Sequence, residues 1–238
     1  MNSPLSTTVL FHLYQIPVSD AVVVTWAIMI VLVVGGWLST RRMRLVPTMT
    51  QAAIELIVDT VDNQIRDTMR VTPTPYRAFI GTLFLFIFFA NWSSLVPGVR
   101  PPTARLETDA ALALLVFMAV IWFGIQAKGI GGYLMTFAAP NIVMLPLNVI
   151  ESLTRTFSLL VRLFGNVMSG VFVVGIVLSL AGLLVPIPLM VLDMLTGAVQ
   201  AYIFAILAMV FIAGAVSEST SPPNSPTKEG SDELAIPR

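Results

Sequence analysis

The chain has 238 residues, of which 56% are apolar and only 11% are charged, where a soluble domain usually carries about 25%. With a mean hydropathy of +0.88 and several apolar runs approaching the ~20 residues that cross a bilayer, it reads as an integral membrane protein. Zero net charge without a basic block argues against nucleic acid as a partner, and the absence of cysteine excludes disulfides, iron–sulfur clusters and thiolate metal sites.

Met1–Ser19 is short and mixed. No positive residue precedes the first apolar run, so the n-region of a secretory signal is missing. The single histidine, His12, lies in this terminal stretch and reads as incidental rather than as a ligand. The first span is 21–38, which is uncharged. Arg41, Arg42 and Arg44 follow it, and the positive-inside rule puts that end in the cytoplasm and the N-terminus outside.

The stretch 49–70 has a different character. Ile54, Ile57, Val58, Val61 and Ile65 fall on one helical face, with Glu55, Asp59, Asp62 and Arg66 on the other. Such a helix lies in the membrane interface or packs on a neighbour, and Pro73 and Pro75 are expected to end it. The second span is 78–96. A loop, Pro97–Asp109, carries Arg100, Arg105, Glu107 and Asp109 on the outer side. The third span is 110–127, closed by Lys128, Gly129, Gly131 and Gly132. Trp37, Trp92 and Trp122 sit near the ends of these spans, as in an aromatic belt.

The last two apolar segments are over-long. From Leu147 to Val185 there is no proline, and 39 helical residues would reach roughly 58 Å, against ~30 Å for the hydrocarbon core. Either this segment (141–185) breaks into a hairpin near its glycines or it lies strongly tilted. Pro186 and Pro188 are expected to form a turn into the last span, 187–216. The tail 217–238 is rich in serine, proline and charge, and is expected to be disordered and cytoplasmic. The whole is an all-α fold: one membrane domain, 1–216, with about five membrane helices and one amphipathic helix.

Between Ala138 and Val216 the chain holds only four charged residues: Glu151, Arg155, Arg162 and Asp193. A charge at membrane depth costs about 2.5–3.5 kcal/mol on insertion scales, and arginine cannot escape by deprotonation. Glu151, Arg155, Ser158, Arg162, Asn166 and Ser169 recur at helical spacing and share a face. Glu151 and Arg155, four apart, can pair, which leaves Arg162 without an acid within a turn or two. Asp193 and Gln200, seven apart with Gly197 between them, share a face of the last helix. Ser158, Ser169 and Gln200 taken alone are equally readable as interhelical hydrogen-bonding groups.

The stretch SLLVRLFGN (Ser158–Asn166) resembles the signature of subunit a of F-type ATP synthases, the membrane stator that faces a rotating c-ring. PLNVIE (146–151), QAYIF (200–204), RRMRLVP, GTLFLFIFFANWSSLVPG and TARLETDAALAL resemble further segments of that family, in order from about Leu5 to Val216. The resemblance implies that Arg162 faces the c-ring carboxylate and separates two half-channels, with Asn166 and Gln200 beside it. It implies that Asp193 and Glu107 belong to the outer half-channel, and Glu151 and Ser158 to the cytoplasmic one. It departs from the family at Val171, which is glutamate in some members, and at Thr156, which is often proline. The implied partners are the c-ring, b-type peripheral stalk subunits and the lipid bilayer, within a multi-subunit complex of the bacterial inner membrane. No cofactor or metal is implied.

The coupling ion on this reading is the proton. The TARLETDAALAL version, the VPIP turn and the short N-terminus are also similar to a bacterial branch that moves Na⁺. No G-x-x-x-x-G-K-S/T motif is present, so this is a non-hydrolytic subunit. Two rivals remain: a secondary transporter, which predicts repeat-related broken helices, and a structural membrane subunit, which predicts that Arg162 tolerates neutral replacement.

Overall fold

In a computed structural model the described residues are 9–13, 16–41, 49–95, 99, 101–138, 144–181 and 185–217. The tail beyond Ser217, Arg42, Arg44 and Arg100 therefore lie outside them. Six helices carry the fold: α1 (Asp20–Thr40), α2 (Met49–Met69), α3 (Thr74–Trp92), α4 (Leu106–Ala138), α5 (Met144–Ala181) and α6 (Pro186–Ser217). Five of them, all but α2, are long and apolar enough to cross a membrane. The fold is all-α apart from an N-terminal hairpin that the sequence reading did not assign. In it β1 (Val9–Leu13) pairs antiparallel with β2 (Ile16–Ser19).

The core lies where α2 to α6 meet. Ile65, Ile80, Ile87, Leu163, Phe204 and Ile212 are among its fully buried side chains. Helix α6 is the most deeply embedded span, and Ala201, Ala205 and Ala208 on its buried face let its neighbours approach closely. On α5 the buried line is Leu159, Leu163 and Val167, each four residues from the next. Helix α1 buries almost none of its apolar surface inside the chain and needs an apolar environment outside it. It is held at its start by Asp20, which caps the Ala21 N–H at 3.0 Å and pairs with Arg105.

Local chemistry moves several expected boundaries. Helix α2 stops before the prolines: Arg70 adopts a left-handed φ of 55°, the geometry that commonly closes a helix. Pro73 and Pro75 instead open α3, where a missing N–H costs nothing. In the same way Pro186 and Pro188 stand inside the first turn of α6. Helix α4 begins at Leu106, so Glu107 and Asp109 belong to its first turn and not to a loop. It also runs past the glycines expected to close it. Gly129 (φ 74°, ψ 166°) breaks the helical path, and helix resumes to Ala138. Tyr133 is nine residues beyond Gly124, yet its ring sits where a Gly124 Cβ would stand, so the kink turns the chain back on itself. Trp122 stands seven residues before this kink and is 70% exposed.

Asp62 was expected on the solvated face of α2. It is buried, and pairs through both carboxylate oxygens with Arg77 of α3, while Val61, Ile65 and Met69 pack into the core beside it. Tyr202 of α6 donates to Gln64 of α2 at 3.2 Å. Asp62→Ala is expected to loosen α2 from α3, because it removes the carboxylate that holds Arg77. Faster amide exchange confined to 49–69 would register it; unchanged exchange there would refute it.

Candidate functional site: the α5–α6 hairpin

Helix α5 is unbroken over 38 residues, which settles the choice between a break and one long rod. Its length is about 57 Å at 1.5 Å per residue. Helices α5 and α6 pack antiparallel. Gly170 meets Asp193, and the Arg155 guanidinium lies 5.6 Å from the centre of the Phe211 ring. This register puts Arg162 level with Ala201–Phe204 and within a turn of Gln200.

Two hollows open along the hairpin. The first, of about 580 Å³, runs along α5 from Leu147 to Arg162, with Leu207 and Phe211 of α6 as its other wall. Glu151, Thr154, Arg155, Ser158 and Arg162 line it. The residues assigned to the inner side thus come together in one groove about 22 Å long, ending at the arginine. Glu151 and Arg155 form the expected ion pair, and both are about half exposed. Arg162 is exposed, and no hydrogen bond or ion pair to it occurs among the described residues.

The second hollow, of about 190 Å³, lies beyond Arg162 in the other direction. Ser94, Leu95, Val99 and Pro101 line it on one side, with Gly170, Val171, Val174 and Gly175 of α5 and Met190, Asp193 and Met194 of α6. Asp193 is the one ionisable side chain among the described residues that line it. The carboxylate lies so close over Gly170 that a Cβ there would overlap it. Val171, on α5, lines the same hollow opposite Asp193 of α6. About 12 Å of helix rise separates Arg162 from Gly170, so the two hollows are offset along the hairpin with the arginine between them.

Asn166 and Gln200 lie between the hollows and line neither. Asn166 is half-buried, and its carbonyl accepts from the Ser169 hydroxyl at 2.8 Å. Gln200 is buried, and its Nε2 has no partner among the described residues. Glu107 is exposed on the first turn of α4 and lines neither hollow.

The sequence reading missed a buried polar group behind α6. Asn91, near the end of α3, donates from Nδ2 to the Gly197 carbonyl at 2.8 Å and accepts from the Thr103 hydroxyl at 2.7 Å. It also missed Asp109, which is 0% exposed with both carboxylate oxygens unpartnered among the described residues. A signal for Asn91 was present: it is the one amide in the otherwise apolar run of α3.

Five apolar spans, and a hairpin that holds a permanently charged arginine between two hollows, define a multi-pass membrane protein built around a charged site within its last two helices. The family model described as ATP synthase A chain matches residues 22–213. The chain is 51% identical over 215 residues to ATP synthase subunit a 2 of Bradyrhizobium sp., covering 90% of this chain and 96% of that one. It is 46% identical over 224 residues to ATP synthase subunit a 2 of Pelobacter propionicus, covering 94% and 98%. It is 51% identical over 193 residues to ATP synthase subunit a 2 of Acaryochloris marina, covering 80% and 82%. The chain belongs to the ATP synthase A chain family.

Proposed function

We propose that this chain is the stator ion-channel subunit of a bacterial F-type ATP synthase, carrying ions to and from a rotating c-ring. The observation that carries the reading is the placement of Arg162: exposed, unpaired among the described residues, and between two offset hollows. A carboxylate on a passing rotor helix has an exposed guanidinium to meet there. Such a carboxylate can cross lipid cheaply only when its charge is neutralised. An ion enters from the outer side by the Asp193 hollow and neutralises it. Arg162 makes it give the ion up into the groove lined by Ser158 and Glu151. Each charge moved down the potential supplies ~2.3 kcal/mol per 100 mV. The fixed charge of Arg162 also blocks direct leakage between the hollows. Glu107, at the start of α4, would act at the outer mouth, and Asn166 and Gln200 beside the arginine.

The length of α5 favours a steep tilt, since a 57 Å rod stands upright across ~30 Å of hydrocarbon only by projecting far beyond it. The apolar side chains exposed on α5, such as Phe157, Val161, Phe172 and Ile176, would face the ring and lipid, and those of α1 the b-type stalk subunits and lipid. Arg41, Arg42, Arg44 and Arg66 support an N-terminus outside and a C-terminus in the cytoplasm by the positive-inside rule.

The test is a proteoliposome containing the assembled complex. ATP synthesis is expected when an outside-to-inside proton gradient is imposed at constant potential. Synthesis that follows an imposed Na⁺ gradient and ignores the proton gradient would assign Na⁺ as the ion. Synthesis from neither, in a complex that still hydrolyses ATP, would remove the channel role.

A further inference from the structure

The Asn91 amide group stands in the middle of the polar face of α6 without belonging to either hollow. Gly197, whose carbonyl it binds, lies four residues after Asp193 and three before Gln200, so all three share one side of the helix. The approach depends on glycine: a Cβ on Gly197 would come within 3.0 Å of Asn91 Cβ and 3.5 Å of its Nδ2. The Asn91 side chain is bonded at both ends, donating to Gly197 at 2.8 Å and accepting from Thr103 at 2.7 Å, and Thr103 is 0% exposed. On the same helical turns Asp193 and Gln200 keep free groups: the carboxylate has no partner among the described residues, and neither has the buried Gln200 Nε2. One turn on from Asn91, Ser94 donates to the Asn91 carbonyl at 2.9 Å and lines the Asp193 hollow. The clamp thus joins the wall of the hollow on α3 to the turn of α6 that presents the carboxylate.

We propose that Asn91, held by Thr103, is a positioning residue of the outer ion path. It fixes the Asp193–Gln200 stretch of α6 so that Asp193 stays over Gly170 and facing the hollow, and Gln200 stays turned inward at the level of Arg162. A buried amide with both ends satisfied is rigid, because either bond broken leaves a desolvated polar group. That rigidity preorganises two groups that find no side-chain partner among the described residues. The inference rests on the reading of the Asp193 hollow as the outer entry.

The experiment uses the assembled synthase in proteoliposomes at fixed membrane potential, with the outer concentration of the coupling ion varied and the synthesis rate recorded. Asn91→Ala is expected to raise the half-saturating outer concentration about threefold to tenfold, the range spanned by loss of one buried hydrogen bond, with the rate at saturation kept within about twofold. Thr103→Val, which removes only the hydroxyl donor, is expected to shift it in the same direction by a smaller factor. Should Asn91→Ala fail to assemble, Thr103→Val decides. A lowered maximal rate with unchanged half-saturation would mark Asn91 as merely structural and overturn the proposal, as would no change in either. Asp193→Asn is run beside them. If it shifts half-saturation and the Asn91 and Thr103 variants do not, this inference alone fails; if it too is silent, the outer-entry reading fails.

Discussion

Replacing Arg162 with alanine is expected to abolish ion-driven ATP synthesis while leaving the complex assembled. The side chain is exposed and makes no bond within the described chain, so its removal breaks no internal contact. Surface changes of that kind usually move stability by about 0.5 kcal/mol or less. Its proposed work is done on a rotor carboxylate. At 4 Å and an effective dielectric of 20, two unit charges interact by about 4 kcal/mol, roughly a thousandfold in rate. Arg162→Lys keeps the charge but loses the planar fork and is more strongly hydrated, so it should retain only a small fraction of activity. Synthesis by inverted vesicles, with c-ring copurification as the assembly control, measures both. Wild-type synthesis by the alanine variant would sink the coupling mechanism and favour a structural subunit.

Asp193→Asn is expected to slow ion uptake from the outer side by about a hundredfold if the ion is a proton, the lower end for a positioned proton-transfer group. The reason is its position: it is the one ionisable side chain among the described residues lining the second hollow. The structure adds a second route to the same defect. Gly170→Ala would put a methyl group into the space the carboxylate occupies, so it should slow uptake in the same direction without removing any charge. Gly214→Ala, on the same helix as Asp193 but with open space around its Cβ, serves as the control for a helical glycine and should be silent. Unchanged ATP-driven pumping in Asp193→Asn would remove this residue from the path. A Gly170→Ala enzyme indistinguishable from wild type would show that the carboxylate does not need its present position.

Much of the site was readable before any coordinates. Glu151, Arg155, Ser158 and Arg162 repeat at helical spacing in an apolar background, and the α5 groove collects all four. Local periodicity suffices for residues on one helix face, because the helix itself brings them together. Asp193 was readable as the one acid of the last span, but its placement over Gly170 was not, since that depends on the register between two helices. Asn91 was missed because its partner on α6 lies 106 residues away, and Thr103 because it acts only through Asn91; no spacing rule reaches that far. Asp62 was misplaced for a related reason. Its position on α2 reads as solvated, yet an arginine fifteen residues on makes its burial affordable. The proline boundaries were misjudged locally: Pro75 was read as ending a helix and Pro186 as part of a turn, whereas both stand in the first turn of a helix.

The sequence by itself determined that this protein lives in a membrane, that its spans are helical, that the segment forming α5 is over-long for one upright span, and that Arg162 is the charge without a neighbour. These follow from composition, from a 1.5 Å rise and from the cost of placing charge in hydrocarbon, all of which act along the chain or on single residues. Only the tertiary structure decided that the polar residues form two hollows instead of one continuous path. It also decided that the Asp193 carboxylate rests on a glycine of α5, and that an asparagine from α3 clamps the turn between Asp193 and Gln200. Those are contacts between helices, whose register is set by how side chains of different elements fill one another's space, and that information is spread over the whole chain.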